Sequence, residues 1–155
     1  MSTEWNFKEQ GTIDTDGGKI WFGAIGNQDS AKTPLIAIHG GPGMSHSYLY
    51  PLSDLADERL VIFYDQLDAG RSDRPNNSQN WNLPRFLREL DDLRKALDLH
   101  RVAIFGNSWG GTIAAAYASS NPKGLERLIL SSPLLSTELW LADNQSHRDN
   151  LPSEL

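Results

Sequence analysis

Short apolar runs that do not alternate with polar residues constrain the fold of this chain more than any other feature. Three of them are Leu35–Ile38, Leu60–Tyr64 and Val102–Phe105, and Leu125–Leu130 has the length of a fourth strand. Runs of four to six residues are too short for typical helices, and continuous apolar character indicates strands buried on both faces. The pattern predicts a mostly parallel sheet that is covered on both sides.

The segments between these runs have the periodicity of helices. Leucines spaced by three and four positions follow Asn82, a residue suited to cap the helix. Helices are also predicted at Ser45–Ala56, although Pro51 makes its start uncertain, at Thr112–Ser120, and from Ser136 onward. A hairpin around Asp16-Gly17-Gly18 adds antiparallel strands at one edge. The predicted class is α/β, a mostly parallel sheet with an antiparallel N-terminal hairpin.

Composition excludes several classes of function. The 155 residues carry 14 Lys and Arg against 20 Asp and Glu, a net charge of −6, and contain no cysteine. This balance argues against binding to nucleic acid or to a membrane surface. The lack of cysteine excludes disulfides, thiolate zinc sites and a thiol nucleophile. No apolar block resembles a signal peptide or a membrane span, so we expect a cytoplasmic protein.

The segment Gly106-Asn107-Ser108-Trp109-Gly110 matches the pattern G-x-S-x-G between a predicted strand and a predicted helix. Such a sharp turn lifts the central side chain above the sheet, and crowding requires the small residues Gly106 and Gly110. The free amides at the helix N-terminus then face Ser108. We interpret Ser108 as a candidate nucleophile; the alternative is a structural turn with a capping serine.

A second motif, His39-Gly40-Gly41-Pro42-Gly43, follows the first parallel strand. Glycines allow main-chain amides to approach a ligand closely, and in a hydrolase such a loop donates one hydrogen bond to the oxyanion. We expect the amides of Gly41 and Trp109 to be the two donors. The alternative, a phosphate-binding loop, fits poorly because neither G-K-[ST] nor G-x-G-x-x-G is present.

A third motif, from Asp65 to Asp73, follows the second parallel strand. From its composition alone it is a polar loop with a structural role. Arg71 is expected to tie carboxylates or loop carbonyls together.

The order HGGPG, DQ-x₃-GRS and G-x-S-W-G-G resembles the proline iminopeptidase family of α/β-hydrolases, which includes prolyl aminopeptidases. The resemblance covers nearly the whole chain and implies the α/β-hydrolase fold, with residues 1–135 in the core and 136–155 starting a cap. It implies Ser108 as nucleophile and Gly41 and Trp109 as the oxyanion hole, without a cofactor or metal. The residues that support these motifs are His39, Gly40, Gly43, Gly106, Gly110, Asp65, Gln66 and Arg71.

The acid and histidine that follow the serine in α/β-hydrolases are not evident in this chain. The only histidine after Ser108 is His147, in the predicted cap helix, and the acids there are Glu126, Glu138, Asp143, Asp149 and Glu154. We therefore expect a chain truncated before the last core strands, with the Leu125–Leu130 strand exposed at an edge. Two substitute bases, His39 and His147, are weaker alternatives; His46 and His100 are interpreted as surface or capping residues.

Three functions remain open from the sequence. The first is a serine hydrolase that releases N-terminal proline or similar residues from small peptides or amino-acid amides, incomplete as this chain alone. The second is a non-catalytic module that associates with itself or with a complementary C-terminal half. The third is an esterase or lipase on the same scaffold, because the serine chemistry does not choose between ester and amide.

Overall fold

A computed structural model describes residues 5–152. The first four residues of the predicted core, 1–4, and the last three of the predicted cap segment, 153–155, which include Glu154, lie outside the described residues. Six strands form one sheet in the order β1-β2-β4-β3-β5-β6. Their bounds are β1 Glu9–Thr15, β2 Gly18–Ile25, β3 Leu35–Ile38, β4 Val61–Asp65, β5 Val102–Asn107 and β6 Leu125–Ser131.

The sheet is antiparallel at one side and parallel at the other, as the sequence predicts. β2 runs antiparallel to β1 and to β4, whereas β3 pairs in parallel with β4 and β5, and β5 with β6. Every residue of β3 and β4 is buried. Because both faces of these strands are covered, their sequences are continuously apolar rather than alternating.

The helices have the bounds α1 Leu83–Ala96, α2 Trp109–Ser119 and α3 Thr137–Asp149, with 3₁₀ segments at His46–Asp57 and Ser78–Asn80. Asn82 caps α1 as predicted, since its side chain accepts from the Arg85 amide at 3.0 Å. One face of the sheet packs against α1 and α2, with Ile36, Ile62 and Ile104 in that core. The opposite core contains Leu35, Val61 and Ala103, and Leu49 of the long 3₁₀ segment packs there.

The segment predicted as a helix over Ser45–Ala56 forms successive 3₁₀ turns instead of an α-helix. Pro51 lies in its middle, lacks an amide hydrogen, and disrupts the bonding pattern of a regular α-helix. The position of the segment was therefore predicted correctly, and its type was not.

β6 is an edge strand, as expected, and its surface is apolar. Leu128, Ile129 and Leu130 are between 36% and 42% exposed. No side chain of α3 is buried, and Leu139, Trp140 and Leu141 on it are more than half exposed. Within residues 5–152, no helix is long and apolar enough to cross a membrane.

Candidate functional site

Three motifs meet at one edge of the sheet because each follows the carboxyl end of a parallel strand. The glycine loop, His39–Gly43, follows β3; the loop beginning at Asp65 ends β4; and Ser108 lies between β5 and α2. In open α/β sheets this edge is where ligands bind.

Ser108 occupies a sharp, strained turn. Its backbone has φ 52° and ψ −119°, a region that non-glycine residues rarely adopt and that costs about 1–3 kcal/mol. Its amide donates to the Ser131 carbonyl at 3.0 Å. Its carbonyl accepts from Gly111 at 2.9 Å, and from Thr112 and Leu134 at 3.2 Å. These four hydrogen bonds hold the serine in its strained conformation.

Small residues around the turn allow three backbones to approach one another. A Cβ on Gly110 would lie 2.7 Å from the His39 carbonyl oxygen, and a Cβ on Gly106 would lie 2.8 Å from the Cβ of Ala114. A Cβ on Gly40 would lie 3.0 Å from the Cβ of Ser108. The glycine loop and the serine turn are therefore in direct contact.

Two main-chain amides beside the serine have no acceptor among residues 5–152. These are Gly41, which has φ 122°, and Trp109, the first residue of α2. The Ser108 side chain is partly exposed, and within the same residues its Oγ makes no hydrogen bond. A partly exposed hydroxyl thus stands beside the positive end of a helix.

His39 is a fully buried part of the loop scaffold. Its Nδ1 lies 2.8 Å from the Gly40 carbonyl, to which it donates, and its Nε2 accepts from the Gln66 amide at 3.1 Å. The Gln66 side chain donates to the His39 carbonyl at 2.8 Å and accepts from the Trp109 indole at 3.2 Å. Burial lowers the pKa of His39, which favours the neutral ring. Both ring nitrogens are occupied, so neither can accept a proton from Ser108.

Asp65 organises the loop that follows β4. Its carboxylate accepts from the His46 amide at 2.7 Å, the His46 ring at 2.9 Å and the Arg71 amide at 2.8 Å. Burial raises the Asp65 pKa, but the hydrogen bonds from His46 and Arg71 together outweigh it and hold the pKa below its usual value. A Cβ on Gly70 would lie 2.6 Å from Oδ1, so only glycine fits beside this carboxylate.

The interpretation of His46 as a surface residue was wrong, because it is 3% exposed. Its ring stacks on Trp21 at 4.3 Å, and its Nε2 has no partner within the described chain. The expectation for Arg71 was only partly right. Its main-chain amide holds Asp65, whereas its guanidinium lies 4.7 Å above the Trp21 ring and 3.4 Å from the Gln10 side chain. His100, in contrast, is exposed as predicted.

Tyr48 connects the glycine loop to the serine turn, a role that the sequence analysis missed. Its hydroxyl accepts from the Gly40 amide at 2.6 Å and donates to the Asn107 side chain at 2.8 Å. Asn107 in turn donates to the Ser131 carbonyl at 3.1 Å. Burial raises the pKa of Tyr48, so its hydroxyl stays protonated.

Within residues 5–152, neither the candidate acids nor His147 makes a hydrogen bond with Ser108. His147, Glu138, Asp143 and Asp149 belong to α3, none of whose side chains is buried. Glu126 is held by Arg101 and by Thr33, which lower its pKa to about 2. In the part of the chain that the structure describes, no cluster of three or more acidic or histidine side chains could hold a metal ion.

Comparisons with known proteins agree with this architecture. The family model described as alpha/beta hydrolase fold matches residues 33–155. A proline iminopeptidase of Heyndrickxia coagulans is 44% identical over 146 residues, which are 94% of this chain and 50% of the relative. The crystal structure of VinJ superposes with a TM-score of 0.90 at 32% identity, covering 96% of this chain and 51% of VinJ.

The crystal structure of the proline iminopeptidase of Mycobacterium smegmatis gives a TM-score of 0.87 at 32% identity, covering 94% of this chain and 51% of that protein. The chain spans about half the length of the curated relatives it matches. These findings confirm the resemblance of its motifs: the chain belongs to the α/β-hydrolase fold family and is similar to the proline iminopeptidases over about half of their length.

Proposed function

We propose that this chain carries the nucleophile and the oxyanion hole of a serine hydrolase that releases N-terminal proline, or a similar residue, from small peptides or amino-acid amides. Ser108 attacks the carbonyl carbon, the C–N bond breaks, and the amine leaves with the proton that the base took from Ser108. Water then hydrolyses the acyl-enzyme, which releases the free amino acid and restores the serine. The substrate class follows the names of relatives such as the Heyndrickxia coagulans iminopeptidase. The observation that carries the proposal is the strained backbone of Ser108 at the N-terminus of α2.

The amides of Gly41 and Trp109 stabilise the negative charge that develops on the substrate oxygen. Their lack of an acceptor within residues 5–152 and the contact between the glycine loop and Ser108 support this role. One such donor is worth about 10²–10³ in rate. His39 and Gln66 support these amides through the hydrogen bonds that Gln66 makes to the His39 carbonyl and to the Trp109 indole.

The proton of Ser108 requires a base, which we propose comes from outside the described residues. The chain spans about half the length of its relatives, so a complementary C-terminal half is the expected source of the acid and the histidine. In this proposal residues 1–135 form part of the core and 136–155 begin a cap. Without those partners the turnover should be lower by roughly 10⁴–10⁶.

The test is labelling of the chain with a fluorophosphonate probe, followed by intact-mass and peptide mass spectrometry. We expect slow, single-site labelling at Ser108, absent in Ser108→Ala. Ser119→Ala is the matched control, because that exposed serine lies eleven residues further along the chain, at the last position of α2. Labelling at another residue, or none after prolonged exposure to excess probe, would rule out Ser108 as the nucleophile.

A second candidate is a non-catalytic module that associates through its exposed edge. The apolar surface of Leu128, Ile129 and Leu130 on β6 favours it. Light scattering and turnover of proline p-nitroanilide distinguish the two. A stable dimer that neither labels nor turns over substrate supports the module; turnover of p-nitrophenyl esters without amide hydrolysis supports the esterase alternative.

A further inference from the structure

A cavity of about 410 Å³ opens between the carboxyl ends of β3, β4 and β5 and the N-terminus of α1. Its wall includes Gly43, Leu67, Asp68, Trp81, Phe86 and Trp109. It therefore adjoins the glycine loop and the first residue of α2, which both belong to the proposed oxyanion hole.

Aromatic rings form much of the cavity wall. Phe86 and Trp109 pack edge to face, with ring centroids 5.6 Å apart, and Trp81 at the rim is 59% exposed. The faces of such rings attract cations within about 6 Å, with tryptophan the strongest. The cavity thus favours an apolar body and tolerates a positive charge.

Asp68 is the only charged residue in the described lining. Its Oδ2 accepts from the Trp81 indole and its Oδ1 from the Asn76 amide, both at 2.9 Å. An ionised carboxylate offers about four acceptor sites, so half of its capacity is free for a ligand. Asp68 also has φ 64°, the left-handed region that favours glycine. A carboxylate thus stands at a position where a side chain costs backbone energy, and such positions cluster at functional sites.

We propose that this cavity is a substrate subsite for an ammonium group carried on an apolar body, with Asp68 as its counter-ion and Trp81 as a π-face. Charge complementarity selects this occupant, because the lining contributes one negative charge and no cation. An anionic ligand would be repelled by the Asp68 carboxylate, because the described lining offers no cation to offset that charge. The assignment of this cavity to the substrate rests on the proposed function, since Trp109 and the glycine loop line the cavity and also form the proposed oxyanion hole.

Binding can be measured without any turnover. The ¹⁵N-labelled chain is titrated at pH 7 with benzylamine, benzyl alcohol and benzoate, three probes of similar shape and different charge. The indole N–H of Trp81 is the reporter, identified by its loss in Trp81→Phe. We expect benzylamine to shift this resonance and to bind about three- to tenfold more tightly than benzyl alcohol, with benzoate the weakest.

Two variants test the contribution of the Asp68 carboxylate to binding. Asp68→Asn removes the charge while keeping a residue that tolerates the left-handed region, and Asp68→Gly removes the side chain altogether. Both should abolish the preference for benzylamine over benzyl alcohol. Asp143→Asn, an exposed residue of α3, changes the net charge equally and should keep that preference.

Equal affinity for the amine and the alcohol, or an amine preference that survives both Asp68 variants, would overturn the proposal. Failure of fluorophosphonate labelling with intact amine binding removes the proposed hydrolase and leaves the subsite. Labelling at Ser108 without a preference for benzylamine over benzyl alcohol supports the proposed hydrolase and removes the subsite.

Discussion

Gly110 is the position where a single methyl group should disturb the site most. It lies in the first turn of α2, and its Cα faces the end of β3. An added Cβ would lie 2.7 Å from the His39 carbonyl oxygen and closer still to the carbonyl oxygen of Ile38. Real Cβ atoms essentially never approach other atoms within 3.0 Å, and here both neighbours are backbone atoms, of Ile38 at the end of β3 and of His39 directly after it. The helix must therefore move away from the sheet.

The cost of Gly110→Ala can be worked from two opposing effects. Overpacking of a rigid core costs about 1–3 kcal/mol, and the upper part of that range applies where backbone meets backbone. Alanine regains up to about 1 kcal/mol through its better helix propensity. We expect a net loss of about 2 kcal/mol in the free energy of unfolding, with slower fluorophosphonate labelling because the Trp109 amide moves with the helix.

Gly11→Ala is the matched control. Its added Cβ would meet the Phe22 ring at an ordinary 3.5 Å, and its φ is not positive. This change should be neutral or stabilise the chain by about 0.4–1 kcal/mol, since alanine restricts the unfolded state. Urea unfolding followed by tryptophan fluorescence measures both variants. Equal stability of the two would refute the close packing of α2 on β3 and the geometry built on it.

Four further changes probe the site and the exposed edge. Tyr48→Phe should cost about 1–2 kcal/mol in urea unfolding, because it leaves a buried amide unpaired; Tyr50→Phe, whose hydroxyl makes no hydrogen bond in the described chain, should cost far less. Asp65→Asn should cost about 2 kcal/mol at pH 7. Since the folded pKa of Asp65 is depressed, this difference should persist above pH ~4 and close as the pH falls through the folded value. Ser108→Gly should be about 1 kcal/mol more stable than Ser108→Ala, as glycine relieves the backbone strain, while neither is labelled. Ile129→Lys should reduce self-association in light scattering without lowering stability; unchanged association would exclude β6 as the interface.

Local physics accounts for the parts of the fold that could be predicted from the sequence. Buried strands such as β3 need apolar residues on both faces, so their runs are visible without any tertiary information. The cap at Asn82 and the leucine spacing of α1 are properties of one helix. The glycines on either side of Ser108 could be read as a crowded turn because strand, motif and helix are consecutive in the chain.

The parts that were missed depend on residues that are distant in sequence. The burial of His46 follows from contacts with Asp65 and Trp21, and the bridge made by Tyr48 follows from a 59-residue separation to Asn107. Neither contact leaves a periodic pattern. The role proposed for Asp68 could not be predicted either, because its left-handed backbone and its cavity exist only once the loop is folded.

Hydrogen bonds connect the exposed edge strand of the sheet to the serine turn. Two of the hydrogen bonds that hold Ser108 come from the end of β6 and the segment after it: Ser131 accepts from the Ser108 amide, and the Leu134 amide donates to the Ser108 carbonyl. The same Ser131 carbonyl receives the side chain of Asn107. A partner that pairs with β6 would therefore contact the strand whose last residue holds the serine turn. The proposed association through this edge and the proposed catalysis at Ser108 are consequently compatible, because the strand that carries the apolar surface ends in a residue that holds the serine turn.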